Sequence, residues 1–225
     1  MKTGSGQVPP ARSFAPVAQL VEAPDLGSGG WGFESLPGYM ATWFTSDLHF
    51  GHERIIELCN RPFADVTEMN EALIDLWNSC VDQGDTVYVL GDVAMGKIAE
   101  TLPLVELLRG TKYLVPGNHD RCWSGHRKVR PADREIYERV GFKILEPQHV
   151  YGRWLLCHFP QTGDSYGSDR YAEHRPQLTG YKAIIHGHVH NQWKANARQI
   201  NVGVDVWDYA PVHLDQLLEL VDSLS

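Results

Sequence analysis

Past residue 40 the chain alternates between two kinds of apolar spacing. Short aromatic and β-branched runs bounded by Gly or Asp, "ATWFTSD", "DTVYVLGD", "KYLVPGN", "RWLLCHF" and "YKAIIHG", read as buried strands. Between them apolar residues recur at helical spacing. Met69, Leu73, Leu76, Trp77 and Cys80 mark one helix, with Asp65 or Thr67 as its N-cap. A second helix is expected from Pro103, a favourable first-turn residue, to Gly110, and a third from Pro131 to Val140, closed by Gly141. Leu214, Leu217, Leu218, Val221 and Leu224 give the last helix an apolar stripe. Strand–helix alternation of this kind predicts one α/β sheet domain over residues 41–225.

Residues 1–40 follow neither pattern. The segment is rich in Gly, Pro and Ser, and Pro16, Glu22 and Pro24 cut its apolar pieces too short for the core of a secretory signal. It is expected to be a disordered or non-native extension. "VAQLVEAPDLGSGGWGFESLP" looks like translated transfer-RNA sequence, since "GFES" can be written in codons that resemble the T-arm of such a gene; Met40 is then the natural start.

The 225 residues are 43% hydrophobic and 21% charged, enough apolar content for a proper core. No apolar run reaches the ~18 residues of a membrane span. A net charge of −8 gives no basic footprint for a long nucleic acid and leaves small charged substrates open. Cys59, Cys80, Cys122 and Cys157 have neither metal-site nor disulfide-framework spacing, which points to reduced thiols and the cytoplasm. Histidine changes the picture: there are eleven, three of them within "HGHVH", a bunching that suits hard or borderline metals.

The strands also finish alike. The first runs into Asp47-Leu48-His49, the second into Gly91-Asp92, and the third into Gly117-Asn118-His119-Asp120; the fourth carries His158, and the fifth runs into Gly187-His188-Val189-His190. Ligands of open α/β sheets bind outside the carboxyl ends of the strands, where the loops converge. Any one such residue has an ordinary explanation as a turn cap; seven oxygen and nitrogen donors at five strand ends do not. Asp47 and His49, like His188 and His190, are two apart, so in extended chain each pair faces one way. Gly91 permits a tight turn before Asp92, whose carboxylate can bridge two cations. Cys157 and His158 face opposite ways, the thiol to the core and the imidazole to the site.

These motifs, in this order over residues 41–206, resemble the calcineurin-like metallophosphoesterases, and "DLHFGH", "RPF", "EMNEALIDLWN" and "NVGVDVWDYAPV" look like a group of small bacterial and phage-type members. The resemblance implies a four-layer α-β-β-α sandwich of two mixed sheets flanked by helices, with two divalent metal ions. By the same resemblance Asp47, His49, Asp92 and His190 hold one ion, and Asp92, Asn118, His158 and His188 the other. Histidine, carboxylate and amide ligation suits Mn, Fe, Ni, Co or Zn.

The charge arithmetic agrees. Two cations bring +4, Asp47 and Asp92 bring −2, and a bridging hydroxide leaves the cluster near +1, attractive to phosphate and acidic enough to keep hydroxide at neutral pH. His119, between Asn118 and Asp120, sits beside the metals without being a ligand. It is expected to protonate the leaving oxygen or stabilise phosphoryl charge, with Asp120 accepting a hydrogen bond from its other ring nitrogen. His52 is a substrate-contact candidate, and His186 a core or supporting histidine. Arg121, Arg127, Lys128 and Arg130 form either a phosphate rim or a solvated loop, and the stretch after His158, with Arg170 and Arg175, is long enough to shape the pocket. The expected activity is hydrolysis of a small phosphomonoester or phosphodiester. A nuclease acting on short nucleic acids is the alternative, and a non-catalytic metal-binding scaffold on the same fold is a further one.

Overall fold

The computed structural model describes residues 40–126, 129–164 and 170–224. The extension expected over residues 1–40 therefore lies, but for Met40, outside the described residues.

Among the described residues, ten strands form two mixed sheets. In the first, β1 (Thr42–Thr45), β2 (Thr86–Val89), β3 (Thr111–Leu114) and β4 (Phe142–Ile144) run parallel, and β10 (Val212–His213) closes the β1 edge antiparallel. In the second, β6 (Trp154–Cys157), β7 (Ala183–His186) and β9 (Gln199–Asn201) run parallel, flanked antiparallel by β5 (Gln148–Tyr151) and β8 (Ala195–Asn196). Register positions the site. Thr45 pairs with Val89 and Val89 with Leu114, so three parallel strands of the first sheet end in step and their following loops lie side by side.

The sheets meet over a buried core in which Phe44, Leu90 and Val115 pack with Trp154, Leu156, Ala183, Ile185 and Ile200. The other face of the first sheet carries helices α1 (Glu53–Cys59) and α2 (Val66–Cys80), with Met69, Leu73 and Trp77 packed in one cluster with Val87, Val89 and Leu114. These three side chains recur every four residues, which brings them onto one helix face. Asp65 caps α2 by accepting the N–H groups of Thr67 and Glu68 at 2.8 and 3.0 Å. Leu73→Ala in this cluster would cost about 2–5 kcal/mol.

Two expectations need correction. The helix placed at residues 103–110 starts earlier, as α3 (Ile98–Thr101), and continues as a 3-10 turn over Leu102–Leu107. Ile98, Leu102 and Val105 supply the buried face there, at helical spacing that begins before the proline. Helix α4 (Pro131–Arg139) lies where its pattern put it, and α5 (Leu214–Ser223) buries Leu217 and Val221 but leaves Leu218 exposed. All four cysteines are free thiols, with Cys59 and Cys157 buried. No helix among the described residues is long and apolar enough to cross a membrane.

Candidate metal centre

After β1, β2 and β7 the chain turns sharply. Asp47, His49, Asp92, His188 and His190 have φ of 57°, 54°, 56°, 71° and 47°, the left-handed region that non-glycine residues rarely enter. The paired ligands are thus not in extended chain, and alternation is not what aligns them. Consecutive tight turns bring each side chain inward, at about 1–3 kcal/mol of strain apiece that the surrounding hydrogen bonds must hold. Backbone bonds stitch the turns together: Asp47 N–H to Gly91 O at 3.1 Å and His49 N–H to Asp92 O at 3.0 Å.

The glycines of these motifs let the turns approach. Gly91 has φ of +89°, and a Cβ there would lie 2.6 Å from the Gly117 backbone and from His158 Nδ1. A Cβ on Gly187 would run into Ser46 Oγ and Asp47 Oδ2. Both positions require the smallest residue because two turns and an imidazole pack where a side chain would stand.

Two groups of donors result. Asp47, His49, Asp92 and His190 each present an atom within 4.8 Å of the others, all four residues being buried. His49 Nε2 and His190 Nε2 are 3.1 Å apart, facing one point. The second group surrounds Asn118 Oδ1, which is 3.0 Å from both His158 Nε2 and His188 Nδ1. One atom links them: Asp92 Oδ2 stands 3.7 Å from His49 Nε2 and 3.5 Å from His158 Nε2. Asp47 and Asp92 are carboxylates with little access to water, and the imidazole nitrogens of His49 and His190 converge on the same space. The residues fit divalent-cation binding.

Protonation follows from burial. Desolvation pushes His190 down to about 4 and His188 to about 3, so both rings are neutral and free to ligate. His49 is held well below its ordinary value by the same cause. Burial raises Asp47 to about 7, countered in part by the charge of His158. His158 is the exception, because against the cost of burial Asp92 holds it up at about 9. In metal-free protein a proton on His158 therefore stands where cationic charge is wanted.

A family model described as calcineurin-like phosphoesterase matches residues 40–158. The chain belongs to that family. The Gene 66 protein of Mycobacterium phage L5 is 34% identical, the match covering 81% of this chain and 95% of the phage protein. The uncharacterized protein MJ1445 of Methanocaldococcus jannaschii is 33% identical over 80% of this chain and 90% of its own length. A protein of unknown function from Aquifex aeolicus, AQ665, shares the fold with a TM-score of 0.61, at 24% identity over 81% of this chain and all of that one.

Within this phosphoesterase fold the remaining predicted residues divide. The His119 ring, 41% exposed, lies at the mouth of a cavity of about 320 Å³ that is also lined by His52, Arg54, Asn118, Arg170 and His190. His52 lies beside His49 with ring centroids 5.2 Å apart, and burial lowers it to about 4. Asp120 does not orient the His119 ring. Its two oxygens accept the N–H groups of Gly117, Asp92 and Val93 at 2.8, 2.9 and 3.1 Å, while His119 Nε2 approaches Asp92 Oδ2 at 3.9 Å. Three buried amides left without an acceptor would cost about 1–3 kcal/mol each, so the carboxylate is committed to tying two turns together. His186 is buried against Trp193 and outside both donor groups.

Arg121 borders a neighbouring cavity with His119 and His126, Arg130 pairs with Asp133 at 2.6 Å, and Arg127 and Lys128 lie outside the described residues. Two residues that support the site went unassigned in the sequence. Arg61 forms a buried two-pronged pair with Asp205 at 2.8 and 2.9 Å and donates to the carbonyls of Asp47 and Leu48 at 2.8 and 3.1 Å. Their motifs, "RPF" and "GVDVW", flag both, but nothing in the spacing of residues 144 apart in the chain says that they meet.

Proposed function

We propose that this phosphoesterase hydrolyses a small phosphomonoester or phosphodiester at a pair of divalent cations. Asp47, His49, Asp92 and His190 hold one, and Asp92, Asn118, His158 and His188 the other. The observation that carries this reading is the placement of Asp92 Oδ2 between the two donor groups, 3.7 Å from one imidazole and 3.5 Å from the other, beneath an open cavity. Cations held by these residues would supply Lewis-acid charge for the phosphoryl oxygens and lower the pKa of a water toward neutrality.

The protein supplies the rest. His119, half-exposed and outside both donor groups, presents its ring to the ester oxygen that leaves and hands it a proton. Asp92 Oδ1 accepts the His119 backbone N–H at 2.9 Å, which ties the turn that carries His119 to the Asp92 carboxylate. Arg54 and Arg170 line the cavity and offer guanidinium groups to the non-reacting phosphate oxygens. A cavity of about 320 Å³ suits a small ester, and a net charge of −8 disfavours a long polyanion.

The test is hydrolysis of bis-(p-nitrophenyl) phosphate, p-nitrophenyl phosphate and cyclic nucleotides by protein reconstituted with Mn, Co, Ni or Zn. Turnover of at least one ester that disappears with chelator is expected. Absence of turnover with every metal would leave a binding scaffold instead.

A further inference from the structure

His188 raises a question its own donor group does not answer. Its Nδ1 faces Asn118 Oδ1 at 3.0 Å, so Nδ1 is the atom turned toward the ligand cluster. Its other nitrogen, Nε2, is buried and lacks a hydrogen bond of good geometry. The group nearest to filling that need is the carboxylate of Asp164, with Oδ2 at 3.4 Å, on the loop after β6. Asp164 is itself almost wholly buried, its side chain 5% exposed. Arg175, equally buried, holds Oδ2 at 3.2 Å and is anchored in turn on Pro160 O at 3.2 Å, while Arg170 reaches Oδ1 at 3.4 Å.

A neutral imidazole carries one proton. If Nδ1 gives its lone pair to a cation, the proton must sit on Nε2, where it points into a buried space and needs an acceptor. A carboxylate receiving the second N–H of a ligating histidine fixes both tautomer and ring orientation and makes the ring a better donor. Resting on the paired-cation reading above, we propose that Asp164 is a positioning residue for His188, with Arg175 holding the carboxylate in place. A ring rotation that closes the 3.4 Å gap completes the bond. The loop after His158, which reaches the second nitrogen of His188 through this carboxylate, thereby sets the affinity of one cation and not the other.

The experiment is a calorimetric titration of metal-free protein with Mn²⁺, comparing wild type, Asp164→Ala and Asp164→Asn. Wild type is expected to bind two ions. Asp164→Ala should weaken one of them by about ten- to a hundredfold and leave the other unchanged. Asp164→Asn, which keeps a neutral acceptor oxygen of the same size, should recover part of the loss, and it carries the comparison should the alanine variant not fold. Loss of the carboxylate that faces the buried Arg175 should lower the metal-free melting temperature, so the deciding readout is the difference between the two ions. Two unaltered Mn²⁺ affinities in both variants would overturn the role of Asp164 and leave the paired site standing. Equal weakening of both ions would also overturn it by marking a general packing role. Fewer than two ions on wild type would sink the paired site and this inference with it.

Discussion

The two donor groups share Asp92 and have similar chemistry, but they are held in different ways. Asp47 and His49 ride on backbone whose carbonyls are gripped by the fully buried Arg61–Asp205 pair, and the carbonyl of His190 accepts from Asn201 Nδ2 at 2.7 Å. His158 is comparably fixed, its Nδ1 donating to Leu90 O at 2.7 Å. Its partner His188, however, relies for its second nitrogen on a surface loop in which Arg170 is 45% exposed. Ligands set by the core and ligands set by a loop need not bind equally well. The difference suggests one tightly held cation and one that is exchangeable and open to tuning.

The most severe way to break the comparison is to remove what the groups share. Asp92→Asn keeps shape and loses the charge facing both imidazoles. Turnover is expected to fall by ~10⁴, the upper end for loss of a catalytic group, and both Mn²⁺ sites should weaken together in a titration. If only one weakens, Asp92 does not bridge. His119→Ala separates chemistry from binding altogether. It should cost ~10²–10⁴ in turnover with metal content by elemental analysis unchanged, since His119 belongs to neither group. Loss of metal would make it a ligand.

Arg61→Met tests the core-held side. Removing one partner of a buried pair leaves Asp205 charged and uncompensated, at about 3–5 kcal/mol. For a domain of this size that is a fall of roughly 6–20 °C in melting temperature. The same change frees the Asp47 and Leu48 carbonyls, so the affinity of the core-held cation should drop while the other ion binds as before. A variant that melts normally and binds both ions would show that Arg61 does not set the first group.

How much of this was legible in the chain differs between the two kinds of information involved. Strands β1, β2, β3, β6 and β7 and helix α2 announce themselves because burial on one face or both imposes a period that local sequence records. The donors are legible for a related reason: a polar residue straight after an apolar strand has few places to point other than the sheet edge. What spacing could not give was conformation and support. Left-handed turns at Asp47 and His49 replace the extended chain that alternation suggested, because Asp and His, although they enter positive φ more often than other side chains, do not announce it as Gly does. Asp120 looked like a partner for His119 by adjacency, yet its oxygens are taken by three backbone amides, one of them 28 residues away in the chain. Arg61, Asp205 and Asp164 act through contacts that only the folded chain creates.

The smallest expected effect is the most selective, because it uses protons to tell the groups apart. His158 stands at about 9 in the metal-free fold, above its ordinary 6.5, whereas His188 and His190 stand at about 3 and 4 and Asp47 at about 7. A cation entering the second group must displace the His158 proton, which is increasingly present as pH falls below about 9. The first group meets no such competitor above pH 7, where Asp47 is ionised and its imidazoles are neutral. Raising the pH from about 7 to 9 should therefore strengthen the second Mn²⁺ by roughly ten- to a hundredfold, a factor of ten for each pKa unit crossed, and leave the first almost unchanged. Proton release, read from the dependence of binding enthalpy on the buffer's ionisation heat, should accompany the second ion alone. The sign reverses for the metal-free fold. A group raised from 6.5 to about 9 stabilises fully below 6.5 and loses that contribution as pH climbs through 9, so His158 should lower the melting temperature of metal-free protein over the range that favours metal uptake. Two affinities that rise in parallel with pH would mean that the proton is shared across Asp92 by both groups, and the division between them would have to be abandoned.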